Sequence, residues 1–427
     1  MTLFLIIVAL LLLLIFIGVP IGFSLGLLGL FSALMIGDIN LVVITQRLFT
    51  GVDSFPLMAI PFFMLAGRIM STGSISKVLV DFAYALVGGI KGGLNIVAIL
   101  GSMFFAALSG SAVATASAIG GILLPPMKEK GYDEDVSAAL VASASVIGPV
   151  IPPSIPMIVY GVVSGASIGA LFMAGIIPGI LLGIALMIPA YIIAKKRNYP
   201  SENTPRSKRG LGKSFIKAFP ALLMPVIVLG GIYGGIFTPT EAAVIACAYG
   251  ILIEAVYYRS LRLKDLPQLF GRSALDASLI LFVIATASGF SWVLTSAQIP
   301  HLVAKTVLGI SSNPIVLLLL VNLILLVTGC IMDTNVAVLV LTPILVPILL
   351  QAGVDLVHIG IIIVVNLCIG LITPPVGMCL YVASNVSKVP VNIIIKSTVP
   401  FLVMELIVLF LVTYVPPLSM FLPSILR

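Results

Sequence analysis

The chain is 427 residues long, 60% hydrophobic and only 9% charged, against about a quarter charged in an ordinary soluble domain. A mean hydropathy of +1.28 excludes a soluble globular protein and reads as a polytopic membrane protein, since many apolar runs reach the roughly 20 residues a span needs. The net charge of +7 comes from one segment, 195–217, where Lys195, Lys196, Arg197, Arg206, Lys208, Arg209, Lys213 and Lys217 face Glu202 alone.

In a bilayer protein that segment reads as a cytoplasmic loop. It lacks the aromatic interleaving of a nucleic-acid surface and is tethered between spans. Cys247, Cys330, Cys368 and Cys379 sit in apolar surroundings without CxxC spacing, so they read as buried thiols, not a disulfide or metal framework. The N-terminus is apolar from Leu3 with no basic stretch before it, so no cleaved signal peptide is expected.

In chain order, the run 3–36 is split by GVP at 18–20. A span follows near 56–71, and 74–91, with Lys77, Asp81 and Lys91 among apolar residues, reads as an amphipathic interfacial helix. The run 93–126 is interrupted by SGS at 109–111, either as two crossings or as a re-entrant hairpin. A broken span at 136–163 and a span at 168–194 lead into the basic loop. The second half repeats the order. Spans are expected at 218–236, 241–258 and 275–296, and an interfacial segment at 297–311 holds His301 and Lys305. A run at 314–350 centres on DTN (333–335), a broken span covers 356–383, and a last span covers 398–422. FTPTEAA (237–243) is a helix start, with Thr238 as cap, Pro239 in the first helical position and Glu241 completing a capping box. An ion or proton role for Glu241 is the rival reading.

The two halves match at a fixed offset of 222. IGPVIPPSIPM (147–157) aligns with IGLITPPVGMC (369–379), Gly131 with Gly353, Asp133 with Asp355, Pro125 with Pro347, and Gly67 with Gly289. Proline removes helix hydrogen bonds, and in a bilayer each unpaired backbone group costs several kcal/mol. Two matching breaks therefore point to a secondary transporter's binding site. The count of spans per repeat makes the second repeat inverted. With 195–217 inside, Lys128, Lys130, Arg259, Arg262, Lys264, Arg272, Lys388 and Lys396 also fall inside, and the N-terminus outside. Charge alone does not separate hairpins from full crossings.

Four elements carry the chemistry. The first tip offers Ser109, Gly110 and Ser111; the second offers Asp333, Thr334 and Asn335. The breaks at 148–153 and 370–375 add carbonyls, with Ser154 and Thr373 as further oxygens. Such oxygens suit a hard cation, and the helix starts beside them suit an anion, together the needs of a sodium-coupled anion carrier. Small residues and prolines also serve helix packing alone, but an acid such as Asp333 within an apolar run is functional by default. Glu405, the other deep acid, lacks a repeat partner and reads as readily as a helix-packing or subunit contact as it does as a functional group. His301 and His358 read as satisfied residues near span ends.

These motifs, FTPTEAA, SGSAVA (109–114), IGPVIPPSIP (147–156), DTN and ITPPVG (372–377), make the whole chain resemble the large membrane (M) subunit of tripartite ATP-independent periplasmic (TRAP) transporters. The resemblance implies an all-α membrane protein of two inverted repeats, elevator-type, within the ion-transporter superfamily. One repeat would be 1–194 and the other 218–427. Scaffold helices would lie at 3–71 and 218–258, arms at 74–91 and 297–311, hairpins at 93–126 and 314–350, and broken helices at 136–163 and 356–383. It implies sodium-driven import of an organic acid, such as a C4-dicarboxylate or sialic acid, across the bacterial inner membrane, and no enzymatic activity or cofactor beyond sodium ions. A periplasmic substrate-binding protein and a separate small four-helix membrane subunit of the Q type are the implied partners. Carried over by motif, Ser109, Gly110, Ser111 and Gly148 would hold one sodium, and Gly329, Asp333, Thr334, Asn335, Gly370 and Thr373 the other. Ser111, Pro153, Ser154, Asp333 and Pro374 would meet substrate. A stand-alone sodium/carboxylate symporter is the nearest alternative. An intramembrane hydrolase would need a Ser–His pair or paired aspartates in reach, which the topology does not offer, and a purely structural subunit leaves the polar tips unexplained.

Overall fold

Proline and glycine set where the helices stop. The computed structural model describes residues 2–37, 40–200, 208–300, 302–303 and 313–425, and among the described residues there is no strand. The GVP break parts α1 (Thr2–Phe16) from α2 (Ile21–Ile36). Gly18 stands there at φ +91°, which glycine reaches at little steric cost. α3 (Leu41–Thr50) and α4 (Ala59–Thr72) follow. α5 (Ile75–Val87) is two-faced, burying Ile75, Leu79 and Val80 while exposing Lys77 and Asp81.

The interrupted run becomes α6 (Gly93–Ser109) and α7 (Ala112–Glu129), joined at the SGS tip. The first broken helix is α8 (Glu134–Ser145) and α9 (Ile155–Ser164), and α10 (Ile168–Lys196) ends the half. The second half brings α11 (Lys208–Tyr233), α12 (Pro239–Leu252), which runs on into a π-helical turn at Ile253–Tyr257, and α13 (Leu266–Ser296). Then come α14 (Pro314–Ile331), α15 (Thr334–Gln351), α16 (Leu356–Gly370), α17 (Met378–Ser387), α18 (Val391–Tyr414) and α19 (Pro417–Ile425). Among the described residues, eight helical stretches are long and apolar enough to cross a membrane.

Four boundaries differ from the expectation. α11 starts at Lys208 and α13 at Leu266, so Lys208, Lys213, Lys217 and Arg272 lie on helices, not in loops. Lysine and arginine are good helix formers, so a run of charge ends the apolar stretch without ending the helix. Likewise Lys195 and Lys196 form the last turn of α10. The last expected span divides, because the prolines at 416 and 417 stop α18 and start α19. His301, Lys305 and most of 297–311 lie outside the described residues.

The 222-residue offset carries over to the helix boundaries. α6, α7, α8, α9 and α10 have counterparts at that spacing in α14, α15, α16, α17 and α18. The two sets interlock. α7 packs on α17 and α9 on α15, so the second half of each broken helix lies against the other repeat's hairpin. α8 packs on α18 and α10 on α16 in the same exchanged sense. Tyr160 of α9 is fully buried and its hydroxyl donates to the Leu356 carbonyl at 2.7 Å, tying α9 to α16. α2, α3, α4, α12 and α13 pack on one another, α13 on α2, α3 and α4, and α4 on α12, and they meet the two repeats where α13 lies on α15 and α4 on α6.

Candidate functional site

The first tip is built by a glycine turn and two hydroxyls. Gly110 stands at φ +60° between α6 and α7. The Ser111 side chain caps α7 by accepting from the Ala114 N–H at 3.4 Å. Thr115, one turn on, donates its hydroxyl to the Ser111 carbonyl at 2.8 Å and meets Ser109 Oγ at 3.1 Å.

This tip is pressed into the first break. A Cβ on Gly110 would stand 2.5 Å from the Pro153 carbonyl oxygen, and one on Gly148 would stand 2.7 Å from the Ser111 carbonyl oxygen. Both glycines let backbone meet backbone, so Ser109, Gly110, Ser111, Gly148 and Pro153 come together. Gly67 of α4 completes the seat, since a Cβ there would lie 3.2 Å from Ser109 Cα.

The second tip uses an acid. Asp333 caps α15, accepting from the Asn335 N–H at 2.9 Å and from Asn335 Nδ2 at 3.1 Å. Thr334 Oγ1 and Asn335 Oδ1 are buried with no hydrogen-bond partner. The tip again meets its break. A Cβ on Gly329 would lie 3.2 Å from Gly370 Cα, and the Val376 N–H donates to the Cys330 carbonyl at 3.1 Å. Thr373 donates its hydroxyl to the Ile369 carbonyl at 3.0 Å.

Both breaks carry a cis peptide bond, Pro152–Pro153 and Pro374–Pro375, but they differ in access. Pro152, Pro153 and Ser154 are buried, whereas Pro374, Pro375 and Val376 are exposed. Ser154 is turned inward. Its hydroxyl donates to the Pro149 carbonyl at 2.5 Å and accepts from the Met157 N–H at 3.3 Å, so it closes the break and caps α9. Helices α7, α9, α15 and α17 thus all begin at a tip or a break, and their positive dipole ends are concentrated there.

A cation finds its best-fitting oxygens at the second tip, where a half-buried carboxylate stands beside two unpartnered acceptors. At the first tip the oxygens are neutral and already paired with one another. No cluster of three or more His, Cys, Asp or Glu side chains suited to a transition metal occurs among the described residues. His358 is satisfied, with Nδ1 at 2.6 Å from Ser419 Oγ and Nε2 at 3.2 Å from the Thr413 carbonyl. Neither tip serine pairs with a histidine. A cleft of about 510 Å³, lined by Ser167, Tyr233 and Asp355 among others, opens at the far ends of α9 and α16, away from the breaks.

Thr115, Gly67 and the Cys330 carbonyl were not visible as site residues from the sequence. Thr115 had one usable signal, its spacing of one helical turn after Ser111. The capping box at Thr238 and Glu241 forms as expected, with the Thr238 N–H donating to Glu241 Oε2 at 2.8 Å and the Glu241 N–H to Thr238 Oγ1 at 3.3 Å. Glu241 is thereby engaged as a cap.

Residues 8–418 match the family described as the tripartite ATP-independent periplasmic transporter, DctM component. The isethionate TRAP transporter permease protein DctMQ of Oleidesulfovibrio alaskensis is 43% identical over 95% of this chain, which spans 64% of that longer relative. The C4-dicarboxylate large permease protein DctM of Pseudomonas aeruginosa is 44% identical, with 94% of each covered. The sialic acid large permease protein SiaM of Vibrio cholerae is 40% identical, with 96% of each covered. In fold, the chain is similar to the YdaH transporter of Alcanivorax borkumensis, at a TM-score of 0.64, 14% identity and 88% coverage of both chains. MtrF of Neisseria gonorrhoeae follows at 0.58 and 13%, with 87% of this chain and 83% of that one covered. Those two likenesses show the helical transporter architecture alone. With the match over nearly its whole length and relatives at about 40% identity, the chain belongs to the DctM family, the large permease component of TRAP transporters.

Proposed function

We propose that this permease imports an organic anion together with sodium, receiving it from a periplasmic binding protein and working with a small membrane subunit. The observation that carries the reading is the second tip, where the Asp333 carboxylate stands beside the unpartnered oxygens of Thr334 and Asn335. Asp333, Thr334, Asn335, Gly329, Gly370 and Thr373 would hold one sodium. Ser109, Gly110, Ser111 and Gly148 would hold another through hydroxyl and carbonyl oxygens. Sodium supplies positive charge that offsets the anion's own and lowers the cost of crossing.

The four converging helix starts suit an anion. Ser111, Asp333, Pro153 and Pro374 would border the anion's space, with Ser154 behind them. The three relatives carry names of a C4-dicarboxylate, sialic acid and isethionate, all organic anions. Helices α6–α9 and α14–α17 would move as one elevator body against α2–α4 and α11–α13, with the two repeats inverted. The chain would lie in a bacterial inner membrane, with its N-terminus outside and 195–217 inside. Coupling follows when the half-loaded body crosses poorly, because a ligand shifts an equilibrium only by its differential affinity.

Uptake into proteoliposomes tests this, with and without an inward sodium gradient, the small subunit and the binding protein. Transport that needs all of them supports the reading. Transport by this chain alone would make it an independent sodium/carboxylate symporter, and transport indifferent to sodium would remove the coupling ion.

A further inference from the structure

One acid in the core of α18 has no place in the scheme above. Glu405 is 0% exposed, and neither carboxyl oxygen has a hydrogen-bond partner. Its counterpart at the 222-residue offset is Gly183, and there Met103 fills the space a side chain would take. An apolar filler therefore suffices at that position in the first repeat, so packing alone does not call for a carboxyl.

The surroundings of Glu405 are polar but uncharged. The Cys368 and Cys379 thiols, on either side of the second break, both lie within electrostatic reach of Glu405 and also of Asp333. Two contacts fix the helix registers. Ser397 donates to Asp135 at 2.5 Å, and eight residues further along α8 and α18 bring Ser143 level with Glu405. His358 meets the Thr413 carbonyl, and eight residues along α16 and back along α18 bring Asn366 level with it. Ser143 Oγ and Asn366 Oδ1 are both buried and unpartnered.

Five helices pack most closely on α18, namely α8, α10, α16, α17 and α19, and α14, whose one titratable group is Cys330, is hydrogen-bonded to it through Asn322 and Tyr414. The titratable and charged groups of the five are Glu134 and Asp135 on α8, Tyr191, Lys195 and Lys196 on α10, His358 and Cys368 on α16, and Cys379 and Tyr381 on α17, with none on α19. Lys396 and Tyr414 stand on α18 itself. The charged ones lie near helix ends, so among the described residues no cation faces the carboxyl. An ionised, unpaired carboxylate buried this way is among the costliest arrangements in a protein. A neutral carboxylic acid, whose O–H can donate to a hydroxyl or amide oxygen, is not.

We propose that Glu405, on α18 against the body that carries the substrate, is a proton-binding site, and that sodium arriving at the Asp333 tip drives its proton off. The coupling rests on the sodium reading above. A cation at Asp333 brings positive charge into the neighbourhood that both acids share and so favours the Glu405 carboxylate. The carboxyl O–H bond breaks and H⁺ passes to water. By reciprocity, deprotonated Glu405 strengthens sodium binding by the same factor.

The test uses the purified full-length chain in weakly buffered detergent at roughly pH 8, well above the ordinary glutamate range. Addition of sodium chloride is compared with choline chloride, a pH-indicator dye reports proton release, and the thermal unfolding midpoint reports sodium binding independently. Infrared spectroscopy reads the carbonyl stretch of a protonated carboxylic acid. The wild-type chain is expected to carry that band and to release up to about one proton per chain with sodium, and its sodium affinity should rise up to about tenfold per pH unit. In Glu405→Gln the band and the release disappear and the pH dependence flattens, while sodium still raises the midpoint. Equal release from Glu405→Gln, or no acid band in the wild type, overturns the proposal; the second result stands even should the variant fail to fold. A sodium-induced midpoint shift without proton release overturns the coupling while sparing the sodium site. A band without any sodium response refutes the sodium reading and leaves Glu405 as a proton site. Loss of the sodium response in Glu405→Gln, without an acid band in the wild type, would make Glu405 an alkali-cation ligand instead.

Discussion

Gly370 and Gly329 meet backbone to backbone: a Cβ on Gly370 would come 2.5 Å from Gly329 Cα. Gly148 and Ser111 stand in the same relation in the other repeat, at 2.7 Å to the carbonyl oxygen. In both halves the break reaches its tip only because the break residue has no side chain. Gly370→Ala and Gly148→Ala should each destabilise the fold by about 1–3 kcal/mol, the usual cost of overpacking, and lower uptake more than tenfold. Gly121, within α7, has nothing within 4 Å of its own Cβ position. Gly121→Ala should therefore be neutral or slightly stabilising. Thermal midpoints of the three variants decide the matter; three equal shifts would mean that the tip contacts carry no special constraint.

Asp333 has two duties that substitution can separate. It caps α15, and it supplies the only carboxylate at either tip. Asp333→Ala should abolish sodium-dependent uptake and cost about 1 kcal/mol of stability from the lost cap. Asp333→Asn keeps a good cap, so it should restore the stability without restoring uptake. Normal uptake by either variant would remove this residue from the coupling site.

Glu254 holds the hinge between α4 and α5. It is 0% exposed, and its carboxylate accepts from the Ser74 N–H at 3.0 Å, the Ile75 N–H at 2.9 Å and the Ser260 hydroxyl. Two of these donors are at the start of α5, where the helix leaves N–H groups without internal partners. Glu254→Ala strands them in a buried place and should cost about 1–3 kcal/mol. Limited proteolysis should then cut faster at 73–75, and an unchanged cleavage pattern would argue against the clamp.

A pH effect is expected at the junction between α8 and α10. Partial burial pushes the Asp133 carboxyl up, but hydrogen bonds from the Tyr199 hydroxyl and Arg197 outweigh it and hold the group below its ordinary value of 3.8. The Tyr199 and Arg197 contacts are both 2.5 Å. A lowered carboxyl contributes stability that is complete above about pH 4 and lost as pH falls through its folded value. Solvent screens this exposed pair, so the contribution is no more than about 1 kcal/mol. Asp133→Asn should lower the thermal midpoint slightly at neutral pH and flatten its fall in acid. A variant that keeps the wild-type acid profile would contradict this.

Helix breaks and turn glycines were legible because proline and glycine act locally. The tip at 109–111, both Pro–Pro breaks and the split at 18–20 all lie where those residues stand, whereas the tip at 333–335 was marked by polar residues in an apolar run. Helix ends marked only by charge were misread, as at Lys208 and Leu266, since lysine and arginine carry a helix out of the bilayer as readily as they end an apolar run. Side-chain duties that depend on distant partners were harder still. The duty of Glu254 exists only once α5 is placed against it, and Ser154 looked open until Pro149 came round to meet its hydroxyl. Pro375 and Pro153 are equivalent in sequence, yet one is exposed and the other buried, because different helices cover the two breaks.

The exchange by which α9 lies on α15 and α7 on α17 also bears on how the chain is made. Synthesis delivers α7 and α9 into the bilayer long before either partner exists. The Gly110–Pro153 contact joins neighbours and can form early, but the far sides of both helices stay without their protein partners until the last third of the chain has been inserted. Assembly is therefore a late event, and a chain truncated before α15 would leave a half-built transporter exposed to membrane quality control. Two separately expressed halves, each bearing what the other lacks, are expected to find one another in the membrane and restore a working permease.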